Sequence, residues 1–145
     1  MRSVIFLGGV ALSSAILLAD TKPLDIKTGL WEVTMTSAVT GMGTPQSRTY
    51  KSCLRKEDLN KYPFAEPEHH CNYTVVSSTG ATMEAHGTCT EPDAKIDFEV
   101  KLDAVDSEHV KGTGKMNINA AGNAMNGTYT GAGKWIGATC PANMK

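Results

Sequence analysis

No apolar run in this 145-residue sequence is long enough to cross a bilayer as a helix: Val4–Ala19 has 16 residues, against the roughly 20 that a span needs. Neither sign of charge is in excess, with 14 Lys and Arg against 15 Asp and Glu, so the basic surface expected of a nucleic-acid binder is missing. Heptads, low-complexity tracts and internal repeats are absent. So are the Gly-x-Ser-x-Gly elbow, the His-Glu-x-x-His pair and the phosphate-cradling glycine loop, which removes the recognisable motifs for hydrolase, metalloprotease and nucleotide chemistry. What remains is an ordinary globular composition, 41% hydrophobic and 20% charged, in a length that fits one domain.

The apolar run has another reading. Arg2 precedes it, Gly8, Gly9, Ser13 and Ser14 interrupt it, and polar Asp20-Thr21-Lys22-Pro23 follows small Ala19. A basic start, a short apolar core and a small residue before a polar stretch describe a cleaved secretory signal. Residues 1–19 are therefore expected to be a signal peptide and 20–145 a single β domain, periplasmic or secreted. The first cysteine is Cys53, so no lipid-attachment site lies beside the cut and no stable membrane anchor remains after it. Four cysteines, at 53, 71, 89 and 140, fit two disulfides in an oxidising compartment.

Period-two alternation dominates the rest of the chain. Trp31, Val33 and Met35 alternate with Glu32, Thr34 and Thr36, as in a strand with one buried face. Weaker strand character runs over Gln46–Ser52. Cys71–Ser77 and Thr82–Thr90 flank a turn at Gly80, and Ile96, Phe98, Val100 and Leu102 alternate with charged neighbours. Val110–Ile118 and Met125–Trp135 close the series, with Gly112, Gly114, Gly127, Gly131 and Gly133 on the apolar face. Such glycines permit bends and leave room for large side chains, or they leave an inner cavity open. The fold class is mainly all-β: an antiparallel meander forming a small barrel or strongly curved sheet. Leu54–Lys61, after the second strand, is the one segment with helix-favouring composition; Tyr62-Pro63 ends it.

Several of these stations recur together. Gly29-Leu30-Trp31-Glu32-Val33, Cys53-Leu54 with Glu57-Asp58-Leu59, Cys71-Asn72-Tyr73, and Gly133-Lys134-Trp135-Ile136-Gly137-Ala138-Thr139-Cys140 resemble the exported bacterial family known as domain of unknown function 3617. Members often carry Thr-Pro where this chain has Arg55-Lys56. The resemblance implies export from a Gram-negative-type bacterium and supplies no activity, substrate or catalytic residues.

Candidate chemistry is sparse. Tyr129 and Trp135 share the glycine-rich apolar face, and with Trp31 they are the candidate ligand-binding residues, a binder being expected to enclose an apolar cavity around Trp31 and Trp135. His69, His70, Cys71, His86 and Cys89 invite a zinc reading, but their spacing matches no familiar motif and an oxidising compartment favours disulfides over thiolates. Glu84 and His86 fall two apart on one strand face, the ordinary arrangement of polar surface. Nothing calls for a cofactor or metal. The expected function is a non-enzymatic module for a small apolar ligand or an envelope protein, and the alternative is a metal-dependent or hydrolase-like enzyme using His69, His70 and His86. If strand directions alternate throughout, all four cysteines gather at one rim. The favoured pairing is then Cys53–Cys71, which closes the helical loop, with Cys89–Cys140, which ties the chain end back to the sheet, whereas Cys71–Cys89 would join strands already held by ladder hydrogen bonds.

Overall fold

A computed structural model describes residues 21–66 and 69–144. The expected signal peptide, residues 1–19, lies outside the described residues. Seven strands form one antiparallel sheet: β1 Gly29–Val39, β2 Gln46–Leu54, β3 Cys71–Ser78, β4 Thr82–Glu91, β5 Ala94–Asp106, β6 His109–Ala120 and β7 Asn123–Gly137. Their order is β2-β1-β7-β6-β5-β4-β3, so the sheet is open, with β2 and β3 as its edges, and does not close into a barrel.

Alternation decides which face each residue takes. Val100 and Leu102 are buried while Glu99 and Lys101 are exposed; Val110 and Tyr129 are buried on β6 and β7 in the same way. One core gathers Trp31, Val33, Leu54, Met83, Ala85, Val100, Leu102, Val110 and Tyr129, which come from six strands. A flat sheet could not bring β1, β2 and β4 side chains into one cluster, so the sheet curves around its apolar face. Tight turns allow this: Ala121 and Gly122 both take positive φ, 50° and 79°, the two-residue geometry whose twist suits a hairpin.

The odd number of strands has a topological result. β1 pairs antiparallel with both β2 and β7, and every neighbour from β7 round to β3 is also antiparallel. Counting directions around the sheet, β2 and β3 run the same way. The chain leaving β2 at the lower end, where β1 starts, must climb the full height of the sheet before β3 can begin at the upper end.

Residues 55–66 and 69–70 belong to that climb. The helix expected over Leu54–Lys61 is reduced to a single 3-10 turn, Lys56–Asp58, with Arg55 extended ahead of it and no side-chain cap. A helix of two turns is marginal in isolation, and this stretch must cover distance before Pro63, which an extended chain does better. The climbing segment is pinned to β2 by hydrogen bonds from Tyr50 Oη to the Phe64 carbonyl, 2.7 Å, and from Ser52 Oγ to the Pro63 carbonyl, 3.4 Å. It presents buried Phe64 to Trp31, with ring centroids 5.5 Å apart.

The lower end is closed by residues 21–28. Lys22 bridges Thr79 in parallel, Asp25 N donates to the Gly80 carbonyl at 2.8 Å, and Leu24 and Ile26 are buried in the core. What reads as a polar lead-in is a lid on one end of the sheet.

The disulfides join Cys53 to Cys140 and Cys71 to Cys89, which corrects the expected pairing of 53–71 and 89–140. Direction is the reason. Because β2 and β3 run in parallel, Cys53 lies at the lower end beside the end of β7, whereas Cys71 lies at the upper end directly opposite Cys89. Loop-closure entropy gives roughly 4–5 kcal/mol for the 87-residue separation and roughly 3 for the 18-residue one. Peptide mapping without reduction is expected to recover Cys53 linked to Cys140 and Cys71 linked to Cys89. A Cys53–Cys71 peptide would contradict the parallel placement of β2 and β3.

Candidate functional site

The two ends of the concave face differ. At the lower end, Val33, Phe64, Leu102, Val110 and Gly133 leave only about 20 Å³ among them, room for about one water molecule. At the upper end an apolar cleft of about 190 Å³ opens between the climbing segment and β3, β5, β6 and β7. Tyr62, Tyr73, Phe98, Tyr129, Met35 and Met116 are its principal apolar walls, and the Cys71–Cys89 disulfide lines its upper edge.

The aromatic walls touch in series. Tyr62 stacks on Tyr73 with centroids 4.5 Å apart and planes at 17°; Tyr73 tilts against Phe98 at 5.1 Å; Phe98 meets Tyr129 edge-on at 6.5 Å. Two glycines make this possible. A Cβ at Gly87 would occupy the space of the Phe98 ring, and one at Gly114 that of the Tyr129 ring. Tyr129 is fixed by its hydroxyl, which donates to the Glu99 carbonyl at 3.0 Å. Phe98 and Ile96 share the inward face with Val100 and Leu102 but are only half-buried, because they border the cleft rather than the packed core.

Charged groups collect at the mouth. Arg48 Nε lies 3.1 Å from Glu66 Oε1, and His69 sits between two carboxylates, 3.2 Å from Glu66 Oε2 and 3.0 Å from Glu91 Oε1. The Glu66 side chain is only 17% exposed, and among the described residues no donor reaches its buried Oε1 in hydrogen-bonding geometry.

Only one of the three expected ligand-binding residues lines this cleft. Tyr129 does. Trp31 is fully buried in the lower core, where its indole N–H donates to the Lys27 carbonyl at 2.9 Å. Trp135 is half-buried at the same end, donating to the Thr28 carbonyl at 3.0 Å beneath the Lys27 ammonium, which stands 4.6 Å from the ring centroid. The enclosed cavity expected around the two tryptophans is therefore filled, and the open space lies at the other end. Tyr62, Tyr73, Arg48 and Glu66 were not legible as site residues. The visible signal was the Tyr62-Pro63-Phe64 cluster, aromatic residues in a segment that would otherwise be a polar loop.

Nor are the histidines brought together. His69 is at the mouth, His70 is exposed beside it, and His86 is exposed on the convex face of β4 opposite Glu99. Among the described residues no three His, Cys, Asp or Glu side chains are placed to hold a metal ion.

Curved sheet, climbing segment and end cleft describe an open, all-β antiparallel domain with a cleft at one end. A family model described as protein of unknown function (DUF3617) matches residues 26–140, and the chain belongs to that family. Searches of curated proteins and of solved structures find no match.

Burial leaves an electrostatic mark on all four tyrosines of the chain. Desolvation is the main cause in each case, raising Tyr50, Tyr62 and Tyr129 well above the ordinary phenol value and pushing Tyr73 up to about 12. The Glu66 carboxylate adds to the rise at Tyr50 and Tyr73. The sign follows directly. A phenol whose pKa is raised by folding contributes stability that is complete below the unfolded value of about 10 and is lost as pH climbs above it. Alkaline titration at 295 nm is expected to show no tyrosinate in the folded protein at pH 10.5, followed by a cooperative rise that coincides with unfolding. A smooth, independent titration of one or more tyrosines near pH 10 would show that the aromatic wall is open to solvent.

Proposed function

We propose that this chain is a non-enzymatic binding protein of an oxidising, exported compartment, periplasmic or extracellular, and that the upper cleft holds a small, mainly apolar ligand. The observation that carries this reading is the contrast between the ends: the same concave face is packed around Trp31 yet leaves about 190 Å³ among Tyr62, Tyr73, Phe98 and Tyr129. Binding sites combine an apolar lining with a few polar groups at fixed positions, and the charged mouth at Arg48, Glu66 and His69 supplies those. The size fits a single ring with a short substituent, since a cavity of about 150 Å³ already accepts benzene. Two disulfides fit an oxidising location.

The interaction-module reading draws less support. Among the described residues the large exposed apolar side chains are scattered, Met42 in the β1–β2 turn and Val76, Val105 and Ile136 on β3, β5 and β7. An enzyme working through His69, His70 and His86 would need these groups to converge, and His86 is on the opposite face of the sheet.

Toluene titrated against protein labelled at its methionine methyl groups tests the reading. Met35 and Met116 are expected to shift saturably while exposed Met42 does not, and Ile96→Trp, which fills the cleft, is expected to abolish the shifts with little change in Tm. Uniform, non-saturating shifts at all three methionines would remove the cleft as a binding site.

A further inference from the structure

We infer that the cleft selects a small organic cation, an ammonium group carried on an apolar body of about one ring. The inference rests on the cleft being a binding site and adds the sign of the ligand's charge. Two features set that sign.

The walls are the first. Tyr62, Tyr73, Phe98 and Tyr129 line the cleft, and aromatic ring faces are the negative side of the ring quadrupole, which attracts a cation and repels an anion. Sulfur from Met35, Met116 and the Cys71–Cys89 bridge fills the space between the rings without adding a positive group.

The mouth is the second. Among the described residues, two carboxylates, Glu66 and Glu91, stand there against one permanent cation, Arg48, whose guanidinium already faces Glu66 and the His69 ring. An anionic head seeking Arg48 would have to displace Glu66 and then sit beside two carboxylates. A neutral ligand would leave buried Glu66 Oε1 with its 3.1 Å ion-pair contact to Arg48 Nε but, among the described residues, no donor in hydrogen-bonding geometry. An ammonium N–H supplies that donor in charge-assisted form while its apolar body lies along the rings. The raised pKa of Tyr50 and Tyr73, due first to burial and second to the Glu66 carboxylate, is consistent with the same negative field.

Three ligands that share a benzyl body decide it: benzylammonium, its neutral near-isostere ethylbenzene, and phenylmethanesulfonate, each titrated near neutral pH with Met35 and Met116 methyl shifts as the readout. Benzylammonium is expected to bind about tenfold or more tighter than ethylbenzene, with the sulfonate weakest. Glu66→Gln is expected to narrow the gap between benzylammonium and ethylbenzene several-fold, leaving the part of the preference that the rings and Glu91 supply. The comparison of ligands on the unmodified chain needs no variant to fold. If ethylbenzene or the sulfonate binds as tightly as benzylammonium, charge selection is overturned while the cleft remains a binding site. If none of the three moves Met35 and Met116, both the inference and the binding reading fall.

Discussion

Seven strands in which β1 is antiparallel to both β2 and β7 leave β2 and β3 pointing the same way, and this parity constraint shapes the rest of the molecule. Parallel strands cannot be joined by a tight turn; the connection has to return over their whole length. In many folds a helix makes that return on the outside of a sheet. Here residues 55–66 and 69–70 make it between the two edges of the open, curved sheet, with Tyr62, Pro63 and Phe64 buried or half-buried and most of the other side chains exposed. Phe64 fills the lower part against Trp31, and Tyr62 continues the filling upward by stacking on Tyr73. Aromatic packing along the seam takes the place of a ladder of hydrogen bonds between β2 and β3.

The asymmetry between the ends follows from where that segment starts and stops. At the lower end the chain between residues 21 and 28 adds Leu24 and Ile26, and the Cys53–Cys140 bridge ties β2 to the residues after β7. At the upper end the segment leaves the core before it reaches the rim, and the space beyond Tyr62 stays open. His69, Arg48, Glu66 and Glu91 hold the segment there through ion pairs instead of apolar contacts. Partly exposed ion pairs contribute less stability than buried aromatic rings, so the mouth is the part of the fold able to open at least free-energy cost. A site placed there gains access to ligand without weakening the core.

Much of this was legible in the chain because alternation is local. Ile96 to Leu102 and Val110 to Ile118 identify their inward faces from period two alone, and the strands themselves appear where alternation and turn residues put them. Strand direction across the seam is a different kind of property. It depends on β1 pairing with β7, whose partners, from Leu30 with Gly137 to Val39 with Gly127, are far apart in sequence, and no local signal reports it. The cysteine pairing failed with it, since Cys53 and Cys71 share a rim only if directions alternate throughout. The tryptophans were misplaced for a related reason: an apolar face shows which side is inward, not how far along the strand the interior is filled. Tyr62 and Phe64 carry no periodic signal because they act from an irregular segment.

The seating of that segment is the claim on which the cleft, its mouth and the open topology all depend, and urea unfolding of Phe64→Ala tests it most directly. Ile136→Ala, an exposed position on β7, serves as the control. A ring that fills the lower core beside Trp31 should cost about 3–5 kcal/mol when truncated, while the control stays within about 0.5 kcal/mol of the parent. A Phe64→Ala variant unfolding within about 1 kcal/mol of the parent would mean that the segment does not seal the seam, contradicting the account.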